Sequence, residues 1–199
     1  MDLTHVSLFS GIGGMDLAAE WAGFRTILQV ERDPFALEVL SRHWPDVKRI
    51  TDIREVTSEA VEGNAVTVVS GGFPCQPFSQ AGQHRGRDDD RYLWPAMLNA
   101  VVELRPAVVV GENVSGLLSI DSGMEIDRIL ASLAAENYEA WIFNYPASGV
   151  GAPHRRDRVF IVGLQRSLAY GASAPRPRRL ATVGARGVEI LPRVQRIPV

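Results

Sequence analysis

Chemistry in this 199-residue chain starts from its only cysteine, Cys75, set in Gly71-Gly72-Phe73-Pro74-Cys75-Gln76-Pro77-Phe78-Ser79-Gln80. The run before it, Ala65-Val66-Thr67-Val68-Val69-Ser70, is short, apolar and β-branched, the pattern of a buried parallel strand. A glycine pair and two prolines then force an irregular loop. Cys75 is therefore expected just past the carboxyl end of a strand, where open α/β sheets hold their ligands. A lone cysteine is commonly a small buried hydrophobe. Two prolines that fix the path of the loop are more than a filler needs, and they point to a thiol presented as a nucleophile.

A second group of residues has the character of a nucleotide crevice. Phe9-Ser10-Gly11-Ile12-Gly13-Gly14 joins a predicted first strand to a first helix. Glycines let the backbone turn tightly and approach a ligand, and a helix amino terminus offers free N–H groups. The spacing is G-x-G-G, not the full dinucleotide fingerprint, so alone it says little. Glu31 closes the predicted second strand, where an acid in doubly wound folds accepts hydrogen bonds from ribose hydroxyls. Asp52-Ile53 follows the third strand and offers a carboxylate and an apolar wall to an adenine. Three such features at successive strand ends are worth more than any one of them.

Positioning these groups requires an alternating succession of strands and helices. Strands are predicted at 6–9, 26–30, 47–50, 65–70, 107–111, 138–145 and 159–164. Helices are predicted at 15–22, stopped by Gly23, and at 34–43, opened by an Asp33 cap and Pro34 and closed by Pro45. Two more are predicted at 92–104, ended by Pro106, and at 121–135. The polar stretch 83–91 separates the cysteine loop from the third helix, and Asp88, Asp89 and Asp90 are expected to cap that helix. The expected fold is α/β, a doubly wound, mostly parallel, Rossmann-like sheet with helices on both faces. The two late strands are expected to form a hairpin with a long connection. One domain is expected over 1–165, followed by an Arg/Pro/Ala-rich, weakly structured tail at 166–199.

Composition fits a globular protein, 46% hydrophobic and 22% charged. One cysteine excludes an internal disulfide and suits a reducing compartment. No apolar run approaches the roughly 20 residues that span a bilayer, and Met1-Asp2-Leu3-Thr4-His5 lacks a signal-peptide start. A cytoplasmic protein is expected. The net charge of −2 argues against a strong polyanion binder, but ten arginines against Asp157 and Glu189 make residues 155–199 basic. That asymmetry suits either contact with phosphates or a solvated basic tail.

Together these blocks resemble the DNA cytosine methyltransferases that modify carbon 5. The similarity rests on 9–14, Glu31, Asp52-Ile53, Gly72-Phe73-Pro74-Cys75-Gln76-Pro77-Phe78-Ser79, Glu112-Asn113-Val114 and Gly151-Ala152-Pro153-His154-Arg155-Arg156-Asp157-Arg158-Val159, in the family's order. It covers about residues 4–164. His154 stands where the family usually has glutamine.

The resemblance implies S-adenosylmethionine as cofactor and no metal. Phe9, Ser10 and the loop of Gly11, Ile12, Gly13 and Gly14 would hold its methionine part, Glu31 its ribose, and Asp52 with Ile53 its adenine; Pro74 would lie against it. Cys75 would add to carbon 6 of cytosine, making carbon 5 nucleophilic by covalent catalysis. Glu112 would supply the acid at ring nitrogen 3. Arg158 would hold the base carbonyl and Arg156 the active-site loop or a phosphate. Gln76, Ser79, Gln80 and Asn113 would contact the substrate. That substrate would be double-stranded DNA with the cytosine flipped out, because its carbon 5 is inaccessible in a duplex. The segment 79–91, with Gly82 and Gly86, resembles the loop that closes over the base.

Complete members of the family continue into a target-recognition domain and a final block whose helix packs beside the first strand. Neither is evident here. The chain reads as part of a split enzyme completed by a second subunit, as a truncated form with little activity, or as a minimal enzyme. An exposed hydrophobic surface is expected where the missing helix would pack. A non-catalytic cofactor- or DNA-binding remnant and an RNA cytosine methyltransferase share the same residues and stay open.

Overall fold

The computed structural model describes residues 2–74 and 92–170 and divides into two compact units, Met1–Gly111 and Glu112–Val199. In the first unit β1 (Thr4–Leu8) is buried along its whole length and leads into α1 (Gly14–Trp21). β2 (Arg25–Val30), α2 (Pro34–His43) and β3 (Lys48–Ile50) follow. The Asp33 side chain caps α2 by accepting from the Ala36 N–H at 2.9 Å, with proline in the first turn, as its sequence predicts. Gly23 ends α1 at φ 85° and donates its N–H to the Glu20 carbonyl. A 3-10 turn (Ile53–Glu55), β4 (Val68–Gly72), α3 (Trp94–Leu104) and the start of β5 (Val108–Val114) complete the unit.

The strands lie in the order β3-β2-β1-β4-β5, and β1 pairs parallel with both β2 and β4. Chain direction along the sheet therefore reverses between β1 and β4, the switch point at which such folds bind ligands. Two observations put helices on both faces. Ser7 bonds Asp16 of α1. Leu8 points the other way along the strand, and it pairs with Gly71, whose missing Cβ would lie 3.4 Å from Met97 of α3. Met97 and Val101 of α3 are fully buried, as are Val6 and Val69 of the sheet.

In the second unit, β5 ends at Val114 and a short 3-10 segment precedes α4 (Met124–Ala135). α4 packs on β6 (Tyr138–Pro146) through Ile126, Ile129, Leu130 and Leu133, all buried. β6 pairs antiparallel with β7 (Asp157–Gln165), from Tyr138 opposite Gln165 to Pro146 opposite Asp157, which is the expected hairpin. A short helix α5 (Arg166–Tyr170) follows.

Three local expectations are corrected. The helix expected at 121–135 starts only at Met124, because Asp121 and Ser122 adopt φ 51° and 56° and Gly123 sits at φ 89°. The apolar period ran on through a left-handed kink that periodicity does not register. The expected strand 107–111 runs on to Val114, so Glu112 lies inside β5 rather than past its end. α3 starts at Trp94 with Leu93 as its cap and no side-chain cap bond; the three acids expected to cap it lie outside the described residues. No helix of the described residues is long and apolar enough to cross a membrane.

Candidate active site

A cavity of about 280 Å³ opens at the carboxyl ends of the first unit's strands. Phe9 follows β1, Glu31 follows β2, Thr51, Asp52 and Ile53 follow β3, and Gly72 and Pro74 stand at the end of β4; Leu93 closes the far wall. Phe9, Glu31, Asp52, Ile53 and Pro74 are thus brought together as expected. Arg32, Arg54, Thr51 and Leu93 also line the cavity and went unread. The signal for the first three was available, since each is adjacent to a residue that was read.

The glycine loop forms the turn from β1 into α1. Phe9 lines the cavity at φ 53°, and Ser10, Gly11, Ile12 and Gly13 lead from it into α1, which Gly14 begins. Ser10 is buried and ties β1 to β2, its N–H donating to the Val30 carbonyl at 3.0 Å and its hydroxyl to the Ser7 carbonyl at 3.0 Å. Gly13 caps α1 at φ 92°, and a Cβ there would come within 2.5 Å of Trp44 Cη2. Only glycine satisfies that conformation and that approach together.

Glu31 anchors the crevice. Its Oε2 accepts from the Gly11 N–H at 2.7 Å, and its Oε1 from the Arg32 and Asp33 N–H groups at 2.8 Å each. Three of roughly four lone-pair positions are filled, which leaves capacity for one ligand hydroxyl. Asp52 caps the 3-10 turn by accepting from the Arg54 N–H at 2.9 Å, and its other oxygen lies 3.4 Å from the Arg54 guanidinium. The Arg54 N–H chiefly, helped by the Arg54 guanidinium and the Arg32 charge, holds the Asp52 carboxyl below its usual value against desolvation, which pushes the other way. Two carboxylates facing an apolar wall of Phe9, Val30, Ile53, Pro74 and Leu93 suit an adenosine, whose hydroxyls and amino group are donors. A more open hollow of about 390 Å³, among Ser58, Asn64, Val66 and Leu104, lies at the amino end of β4, away from these groups.

The second unit carries the other expected pair. Arg158, second residue of β7, places its Nε 2.8 Å from Glu112 Oε1 of β5, and about a quarter of each side chain is exposed. Arg158 Nη1 also donates to the Asp157 carbonyl at 2.9 Å. Asn113 is buried, and its Oδ1 accepts from the Val114 N–H at 2.9 Å. Arg156 precedes β7 and is exposed, its carbonyl accepting from Ala147; His154 is exposed in the connection. Cys75, Gln76, Ser79 and Gln80 lie outside the described residues. Among the described residues no group of three or more His, Cys, Asp or Glu side chains is placed to hold a metal ion.

The first unit is a doubly wound α/β unit with a cavity at its strand ends, and the glutamate–arginine pair follows it in the chain. A family model described as C-5 cytosine-specific DNA methylase matches residues 3–185, and the chain belongs to that family. It is 35% identical to the Type II methyltransferase M.PspPI of Psychrobacter sp. over 85% of this chain and 42% of that protein. It is 36% identical to the Type II methyltransferase M.AquIA of Picosynechococcus sp. over 82% of this chain and 72% of that protein. A solved DNA modification methyltransferase encoded within an Escherichia coli prophage superposes with TM-score 0.72 at 29% identity, covering 84% of this chain and 48% of that one. The chain therefore spans less than half of two of these three proteins. The α/β fold class expected from the sequence holds.

Proposed function

We propose that this chain is the catalytic, cofactor-binding part of an enzyme that transfers a methyl group from S-adenosylmethionine to carbon 5 of cytosine in duplex DNA, in the Type II manner its relatives' names describe. The observation that carries this reading is the Glu112–Arg158 pair at 2.8 Å in a member of the cytosine-5 family. A fixed guanidinium beside a carboxyl group suits the edge of a cytosine, where a carbonyl acceptor neighbours a ring nitrogen that must be protonated.

S-adenosylmethionine, when bound, supplies an electrophilic methyl group. Glu31 accepts from its ribose and Asp52 from its adenine amino group, while Phe9, Ile53 and Pro74 exclude water from its faces. The Cys75 thiolate bonds to carbon 6 of the flipped cytosine as Glu112 shares a proton with nitrogen 3, so the ring never carries an isolated negative charge. Arg158 holds Glu112 and the base carbonyl; Arg156 takes the active-site loop or a phosphate. Carbon 5, made enamine-like by this addition, takes the methyl group, and S-adenosylhomocysteine is left behind. Loss of the carbon-5 proton to water, with the nitrogen-3 proton returned to Glu112, then re-forms the ring double bond and expels the Cys75 thiolate. Gln76, Ser79, Gln80 and Asn113 contact the DNA.

A second polypeptide segment completes the enzyme in this reading. Leu17 and Trp21 are 41% and 80% exposed, and with Ala18 they form an apolar outward side on α1, whose one buried residue is Asp16. A helix apolar on its outer side calls for a covering element. The complete enzyme works in the cytoplasm. The test is mass analysis of nucleosides from duplex DNA incubated with the protein and cofactor. 5-Methylcytosine that disappears with Cys75→Ala supports the reading, and its persistence in that variant refutes it.

A further inference from the structure

The polar residues buried beneath α1 have no part in the chemistry above, yet their placement follows the cavity closely. Ser7, Gln29 and Ser70 form one row across three adjacent strands, since Ser7 pairs with both of the others. Two positions further along each strand stand Phe9, Glu31 and Gly72, which all line the cavity. Asp16 presses on this row from α1: its Oδ2 accepts from the Ser7 hydroxyl at 2.7 Å and its Oδ1 from the Gln29 amide at 2.9 Å. His5 continues the layer, with Nε2 2.7 Å from the Ser70 hydroxyl and Nδ1 2.9 Å from that of Thr26. His5, Asp16 and Gln29 are fully buried.

Such a layer is costly. Asp16 is a carboxylate out of water, and the Gln29 Oε1 is a buried acceptor without a hydrogen-bond partner. An apolar row of similar shape avoids both penalties. Directional bonds fix what apolar contacts leave free, the position of α1 along and across the strands. Asp16 is the one buried residue of the helix, and its bonds act beside the hydrogen bond from Trp44 Nε1 to Glu20.

We propose that Asp16 is a positioning residue for the cofactor cavity. By pinning α1 to Ser7 and Gln29 it sets the three strand ends that present Phe9, Glu31 and Gly72, and it holds Gly11 where its N–H meets Glu31. This rests on the reading of that cavity as the S-adenosylmethionine site.

The test uses the full chain and measures S-adenosylhomocysteine affinity by calorimetry, with stability followed by urea unfolding. Asp16→Ala is expected to weaken binding at least tenfold. Val101→Ala, a buried α3 change remote from the layer, is expected to cost stability with affinity held within about twofold. Asp16→Asn keeps the shape and can bond Ser7 and a flipped Gln29 amide, so it is expected to recover most of the affinity. Should Asp16→Ala fail to fold, Ser7→Ala removes one bond and is expected to weaken binding severalfold. Unchanged affinity in Asp16→Ala or Ser7→Ala, or an affinity loss in Val101→Ala that matches its stability loss, overturns the proposal. Failure of the unmodified chain to bind S-adenosylhomocysteine refutes the cavity reading instead.

Discussion

Arg158 Nε sits 2.8 Å from Glu112 Oε1, joining the middle of β5 to the start of β7. Because both strands are regular at these positions, the pair is held by backbone on either side rather than by two free loops. A group that must meet a flipped base without rearranging benefits from such support.

Arg158→Ala therefore removes a fixed donor without touching the cavity of the first unit. Methyl transfer is expected to fall about 10²–10³-fold, the usual cost of one preorganised donor. Cofactor affinity, read by calorimetry, is expected to stay unchanged. Arg158→Lys recovers little, since an ammonium cannot reproduce the planar fork.

Glu31→Ala strips the acceptor from three backbone N–H groups at once. Cofactor affinity is expected to fall roughly 10–100-fold, as lost bonds to a charged acceptor would give. Glu31→Gln keeps one oxygen and falls less. A binding isotherm unchanged in Glu31→Ala contradicts the assigned role.

Gly13→Ala tests the packing under the loop. The new methyl meets the Trp44 ring and the residue must hold φ 92°. Urea unfolding is expected to show a loss of about 1–3 kcal/mol. Combining it with Trp44→Ala relieves the clash, so the double variant is less destabilised than the two single changes together.

Asp52 predicts a pH dependence. Its carboxyl is held below the ordinary value near 3.8, chiefly by the Arg54 N–H, so the charged form is the one the fold favours. Its contribution is fully present above the unfolded-state value and is lost only as pH falls through the lower folded value. Adenine recognition is therefore expected to hold from about pH 7 down to about pH 4. Asp52→Asn binds more weakly and removes the acid-side loss that Asp52 contributes. A decline already complete near pH 5 that Asp52→Asn abolishes contradicts this account.

Much of this was legible in the sequence because strand ends are marked by strong local signals. Apolar β-branched runs followed by Gly, Pro or an acid placed Phe9, Glu31, Asp52 and Pro74 at one sheet edge, and there the structure puts them. Pair chemistry was harder. Glu112 and Arg158 were separately legible, but their 2.8 Å contact comes from strand pairing across forty-five intervening residues, which no local pattern encodes. The approach of Trp44 to Gly13 was not legible either, because no local pattern places that ring against the loop. The layer of Ser7, Asp16 and Gln29 was invisible because a buried carboxylate follows no hydrophobic period.

The central claim concerns Cys75, and a covalent trap tests it most directly. The protein is incubated with S-adenosylmethionine and duplex DNA carrying 5-fluorocytosine, whose fluorine cannot leave as a proton does. A complex that survives denaturation is expected, its mass equal to protein plus methylated DNA, with the link at Cys75 and none formed by Cys75→Ala. An adduct that persists in Cys75→Ala, or methylation of ordinary DNA by that variant, contradicts the account.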